Sequence, residues 1–198
     1  EQSWTSPGTY TFTVPANVYS VSAVAIGGGG AQIPLNSNNA WSGGGGALAY
    51  VNNLSVTPGQ SINVVVGSRG VYYYTGANAD AQSGGASSFG AMIAGGGGGG
   101  KSTGGVGVGG TPSGAYTAGF SGGNGIYSQS YNLLGGAAGG YTANGATGGN
   151  TGTGLYGGAG TNGKGDSAAY YNPSPSNSTD GAVRVIWGPG RTFPSNAN

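Results

Sequence analysis

The residues able to do acid–base, nucleophilic or metal chemistry are few and scattered. The carboxylates are Glu1, Asp80, Asp166 and Asp180, and neither histidine nor cysteine occurs in the 198 residues. General acid–base catalysis needs a proton donor and acceptor within reach of one bond, and no histidine is available to activate any of the many serines. A glycosidase built on paired carboxylates would need distant loops to meet. Asp166 and Asp180 read more simply as turn residues, whose side chains accept hydrogen bonds from nearby backbone. No dense acidic loop suggests calcium. Gly95 to Ser102 formally satisfies the phosphate-cradling pattern G-x-x-x-x-G-K-S. That loop works only where a helix begins at the lysine, and Thr103-Gly104-Gly105-Val106-Gly107 would break one. In a run of six glycines the match is nearly automatic. The expectation is a protein that is not an enzyme and holds neither cofactor nor metal.

The aromatic residues carry the stronger signal. Tyrosine and tryptophan offer large contact area at small entropic cost, while neighbouring Ser, Asn and Gly adapt their hydrogen bonds, as in recognition loops. The candidates for receptor contact are Trp41, the run Tyr72, Tyr73 and Tyr74, Tyr127 with Tyr131, and Tyr170 with Tyr171. Tyr116, Tyr141 and Tyr156 are expected to pack against the sides of glycine tracts, and Trp187 in a core.

Charge narrows the partners. Five cations, Arg69, Lys101, Lys164, Arg184 and Arg191, are spread through a chain of net charge +1. They assemble no electrostatic footprint for phosphates, so nucleic acid is not an expected partner. No apolar run approaches a membrane span, and the first residues lack the pattern of a signal peptide. Without cysteine, the redox compartment stays open.

The elements that must position the aromatics are glycine tracts and strands. Of 49 glycines, those between 95 and 165 fall into phase at intervals of three: Gly104, Gly107, Gly110; Gly119, Gly122, Gly125; Gly136, Gly139; Gly145, Gly148; Gly154, Gly157, Gly160, Gly163. A period of three is that of the polyproline-II helix, neither α-helical nor strand-like. A face made only of glycine lets such rods approach closely enough for backbone hydrogen bonds. One rod has no internal hydrogen bonds to offset the backbone entropy lost on ordering, roughly 1–2 kcal/mol per residue, so rods are stable only as a bundle. Low charge speaks against disorder, which usually accompanies high net charge.

Strands are expected at Thr9 to Val14, Val18 to Ile26, Ala47 to Leu54, Ser61 to Val66 and Ala182 to Trp187, with one more from Ser87 to Ala94. Gln32 to Asn39 and Arg69 to Gly85 read as polar loops. The last strand follows the whole glycine region and is expected to return to the N-terminal sheet. The fold class is therefore all-β: a small antiparallel β-sandwich combined with a bundle of polyglycine-II helices, with little or no α-helix. Residues 1–94 with 181–198 would form the strand subdomain, and 95–180 the glycine-rich bundle.

Several motifs give the chain a family likeness. They are Pro-Gly-Thr-Tyr-Thr-Phe-Thr-Val-Pro (7–15), the strand ending in Gly27 to Gly30, Gly-Gly-Gly-Gly-Ala-Leu-Ala-Tyr-Val (43–51), Val-Thr-Pro-Gly-Gln (56–60) with Val-Val-Val-Gly (64–67), and Gly-Gly-Ala-Ser-Ser-Phe-Gly (84–90). With these the chain resembles the glycine-rich domains of bacteriophage tail fibres and tail-fibre tip proteins. Its ending, Gly-Ala-Val-Arg-Val-Ile-Trp-Gly-Pro-Gly-Arg-Thr-Phe-Pro-Ser (181–195), is similar to the C-termini of virion structural proteins from marine T4-like phages. The tip adhesins of T-even-like long tail fibres have polyglycine-II bundles whose variable loops contact the host receptor. The resemblance implies a virion location and a host-recognition role, with a protein or glycan receptor and other fibre subunits, including copies of itself, as partners. The alternative is a structural subunit that assembles into an extracellular or virion fibre and has no receptor site.

Overall fold

The computed structural model describes residues 1–36, 39–71, 79–128, 135–148 and 178–196. Among them the chain is all-β, with no helix. In order the strands are β1 (Gln2–Trp4), β2 (Gly8–Thr13), β3 (Ser20–Ile26), β4 (Ile33–Asn36), β5 (Asn39–Trp41), β6 (Leu48–Ser55), β7 (Ser61–Val66), β8 (Ser87–Phe89), β9 (Met92–Ala94), β10 (Pro112–Gly114), β11 (Ala118–Phe120), β12 (Tyr127–Ser128) and β13 (Ala182–Ile186).

Two five-stranded antiparallel sheets, ordered β1-β13-β3-β6-β11 and β10-β9-β8-β7-β2, face each other. The interior between them holds Trp4, Ala23, Ala25, Val183 and Val185 from the first sheet and Phe12, Ile62, Val64, Phe89 and Met92 from the second. Alternation explains β2: Phe12 is buried while the flanking threonines are exposed. β3 and β13 read as almost unbroken apolar runs because their sheet is covered on both faces. Val24, Ile26 and Ile186 belong to a second cluster on its outer side, with Leu48, Tyr50, Tyr141 and Phe193. The Tyr141 ring stacks on Phe193 at 5.8 Å. β13 lies between β1 and β3, back in the N-terminal sheet as its sequence suggested. Trp187, just past its end, is half-buried with its ring 5.7 Å from Phe12.

Between the strands run the glycine tracts, and their hydrogen bonds repeat every three residues. Gly27 and Gly30 donate to Ala47 and Gly44; Gly28 and Ala31 donate to Gly85 and Gln82. Gly95 and Gly98 donate to Thr111 and Val108; Gly97 and Gly100 donate to Gly28 and Ala31. Residues i and i+3 thus face one neighbour and the residues between face others, which is a three-residue turn and not the two-residue pleat of a strand. The tract 95–100 is bonded in this way to segments 28–31, 44–47, 81–84 and 108–111. A strand in a sheet has two neighbours at most. Such packing leaves no room for a side chain. A Cβ on Gly97 would lie 2.0 Å from the Gly44 carbonyl oxygen, and one on Gly45 would lie 2.0 Å from that of Ala137.

Several expectations are corrected. The stretch Ser87 to Ala94 is two strands, because Gly90 turns the chain with φ +56°. Gln32 to Asn39 contributes β4 and β5 to a small third sheet, ordered β12-β5-β4. The ends of the expected Arg69 to Gly85 loop are bonded tracts. Of the glycine triplets, Gly107 and Gly110 donate to one neighbour, as do Gly122 with Gly125, Gly136 with Gly139, and Gly145 with Gly148. Gly104 instead lies in a turn with φ +92°, and Gly119 lies in β11. The last triplets, Gly154 to Gly163, lie outside the described residues. Tyr116 rests on Gly119 but stays 42% exposed, whereas Tyr141 is buried; Tyr156 lies outside the described residues.

Candidate recognition surface

The tract hydrogen bonds set two levels in the molecule. At one level, Gly27, Ala47, Gly95 and Thr111 follow one another in bonded order, each next to the end of a sandwich strand. At the other, Ala31 accepts from Gly100, Gly100 from Ala81, Val71 from Gln82, Ser42 from Gly107, and Gly107 from Gly125. This second level is the far end of the tracts, away from the sandwich. Beyond it lie the small third sheet and the turn at Lys101.

Trp41 and Tyr127 meet at this end. They are directly opposite in the β5–β12 pair, and their rings are 4.4 Å apart with planes inclined by 33°. Ile33 faces Trp41 on its other side, in the β4–β5 pair. The next residue, Ser42, fixes the arrangement: its amide donates to the Ile126 carbonyl, and its buried hydroxyl both donates to that carbonyl at 2.6 Å and accepts from the Ile126 amide. Tyr127 is 39% exposed and Trp41 is half-buried. Tyr72, Tyr73, Tyr74, Tyr131, Tyr170 and Tyr171 lie outside the described residues.

A polar group adjoins the aromatic pair. The turn after Lys101 is closed by the Lys101 amide donating to Gly105 and the Gly104 amide donating to Lys101. A Cβ on Gly104 would lie 3.5 Å from Trp41 Cζ2, so this turn runs along the indole edge. Asp80 accepts from the Ser102 amide at 2.8 Å and its hydroxyl at 3.0 Å, and pairs with Lys101 Nζ at 3.1 Å. The Ser102 amide first, and the Lys101 ammonium after it, hold the Asp80 carboxyl below the usual carboxylate range. Sequence reasoning treated Asp80 as an isolated acid and Lys101 as part of a spurious phosphate motif. Nothing in their spacing shows that they meet, because tracts 81–85 and 95–100 become neighbours only in the fold.

The remaining described acids are also hydrogen-bonded. Asp180 accepts from the Arg69 amide at 2.7 Å. Glu1 bonds to Arg184 at 3.1 Å and to Arg191, whose hydrogen bond is the leading reason its pKa falls to about 2. Near the start of β3, an open groove of about 550 Å³ is lined by Tyr19, Asn53, Trp187 and Arg191, among others.

Outer tracts are closed by side chains. The Gly109 amide donates to Asn124 Oδ1 and the Ser121 amide to Asn144 Oδ1, while inside the central tract 95–100 the Gly99 amide donates to Ser83 Oγ.

A two-sheet sandwich whose strands pass into laterally bonded glycine tracts defines a class of all-β scaffold in which backbone does the packing. The chain belongs to the glycine-rich domain family, whose match spans residues 5–194. No curated protein matches the sequence.

Proposed function

We propose that the three-residue rows are polyglycine-II helices, and that the chain is a phage tail-fibre tip protein that binds a host cell-surface receptor at the far end of those helices. The observation that carries this reading is the two-level arrangement. Tracts 27–31, 42–47, 67–71, 81–86, 95–100, 107–111 and 121–126 each join a sandwich strand at one level, and at the other all but the pair linked by the turn at Lys101 lead into connections rich in Tyr, Trp, Ser and Asn. The described residues that flank segments 72–78 and 149–177 stand at that far level: Val71 accepts from Gln82, Gly148 donates to Asn124, and the Ser178 hydroxyl donates to Gly70. Side chains carried on a packed scaffold lose little entropy when they bind, which suits a rigid recognition surface. The motifs shared with tail-fibre glycine-rich domains supply the virion setting.

A second reading, a self-assembling fibre subunit, is favoured by one feature. β2 is the edge of its sheet, uncharged over Gly8–Thr13, and an edge without charge or proline is open to strand pairing. The capped outer amides weigh against assembly through the glycine tracts. Electron microscopy of the purified chain, combined with binding of the labelled protein to a panel of marine bacteria, tests the choice. Discrete particles that bind cells saturably and block phage adsorption support the tip. Long regular filaments without cell binding overturn it in favour of the fibre subunit.

A further inference from the structure

We propose that Trp41, Tyr127, Asp80, Lys101 and Ser102 form a glycan-binding subsite that takes a neutral pyranose. The inference rests on reading the far end as the recognition surface, and it names the chemical class bound there.

The hydrogen-bonded faces of a sugar need groups that donate and groups that accept. Asp80 offers carboxylate oxygens, Lys101 an ammonium and Ser102 a hydroxyl, all linked at 2.8–3.1 Å. Sugar hydroxyls both donate and accept, so one ring can bridge a carboxylate and an ammonium together. The two charges offset each other. At 45% and 50% side-chain exposure, they are open to a ligand and give the patch no net attraction for an ion. This favours a neutral sugar over a phosphate or an acidic peptide.

The apolar C–H face of a pyranose needs an aromatic platform, whose ring face is negative. Tyr127, 39% exposed, supplies it against the half-buried Trp41, the two rings 4.4 Å apart. Trp41 is held by β-pairing on both sides, to Ile33 and Tyr127, and by the Ser42 hydrogen bonds that follow. Gly104 is the joint between platform and polar group. The turn from Lys101 to Gly105 runs along the indole edge, and a side chain at position 104 would press on that edge, its Cβ 3.5 Å from Trp41 Cζ2.

The test uses the full chain, titrated with methyl glucoside, maltohexaose and chitotetraose and followed by tryptophan fluorescence and saturation-transfer NMR. A single-ring contact of this size is expected to bind at ~1 mM. Asp80→Asn should weaken binding at least tenfold. Gly104→Asn, which suits a positive φ and presses on the indole edge, should abolish it. Both positions are on an exposed turn or its partner, so the variants should keep the wild-type melting temperature. Trp41→Ala should also abolish binding, but it removes a sheet contact and is read only beside the other two. Sugar binding that survives Asp80→Asn and Gly104→Asn overturns the proposal. So does the lack of any sugar response in a chain that still binds cells, with that binding lost after the cells are treated with protease. This second result identifies a protein receptor and leaves the tip reading standing. Failure to bind either cells or sugars overturns both.

Discussion

The Cα hydrogen of Gly97 points at the Gly44 carbonyl oxygen, and a methyl group in its place would stand 2.0 Å from that oxygen. Contacts of this kind recur along the tracts, so glycine here is a packing surface. Stability comes from lateral backbone bonds, each worth roughly 0.5–1.5 kcal/mol net. Such a lattice is cooperative, since a tract that shifts breaks bonds with several neighbours at once.

Gly97→Ala should therefore destabilise the chain by at least about 1–3 kcal/mol, the usual range for overpacking, since the opposing atom is backbone and cannot rotate away. Gly105→Ala meets only the Lys101 side chain, at 3.4 Å, and should stay within about 0.5 kcal/mol of wild type. Urea denaturation of the two variants side by side checks the contrast. Equal midpoints would show that the tracts are not packed as described.

Removing the cap on an outer tract should expose a backbone donor. Asn124→Ala frees the Gly109 amide, at a stability cost of about 0.5–1.5 kcal/mol or less because the site is exposed. It should also make light scattering rise with protein concentration. Asn124→Asp keeps the acceptor oxygen and should restore wild-type behaviour. Scattering unchanged in Asn124→Ala would mean that the cap does not guard against association.

Acid should loosen the contact between the chain's first residue and its last strand. The Glu1 carboxyl, ordinarily at 4.5, titrates at about 2 in the folded chain, so the unfolded chain takes up the proton first as pH falls. The stabilisation is thus complete above about 4.5 and lost on descent towards about 2. Calorimetry across that window should show a steeper fall in melting temperature for wild type than for Glu1→Gln. Parallel curves would exclude the contribution.

The sandwich should fail at its aromatic centre. Phe12 is fully buried, with the rings of Trp4, Phe89 and Trp187 at 6.2, 5.8 and 5.7 Å. Phe12→Ala should cost about 3–5 kcal/mol, a large part of the stability of a domain this size. Loss of near-ultraviolet circular dichroism at ambient temperature would register it. Retention of the wild-type melting temperature would contradict the core described.

Much of this architecture was legible in residue order. Strand alternation in Thr9 to Val14, the apolar runs of β3 and β13, and the three-residue phase of Gly107 with Gly110 and Gly136 with Gly139 are local patterns. Each follows from the geometry of one element. Short strands were not legible, because Pro112–Gly114 and Ala118–Phe120 are three residues long and, Phe120 apart, made of residues that do not favour strands. They pair because β9 and β6 present open edges to them.

The candidate site divides in the same way. Trp41 and Tyr127 were selectable by residue type, but their contact depends on β5 and β12 pairing across 85 intervening residues. Asp80 and Lys101 join only because tracts 81–85 and 95–100 lie side by side. Sequence alone determined that glycine would line the close-packed tracts and apolar residues the sandwich, since both follow from the size and solubility of single side chains. Which tract neighbours which was decided only in the tertiary structure. One glycine face fits another equally well, so the choice falls to the sandwich that anchors the tract ends and to the capping side chains at the margins.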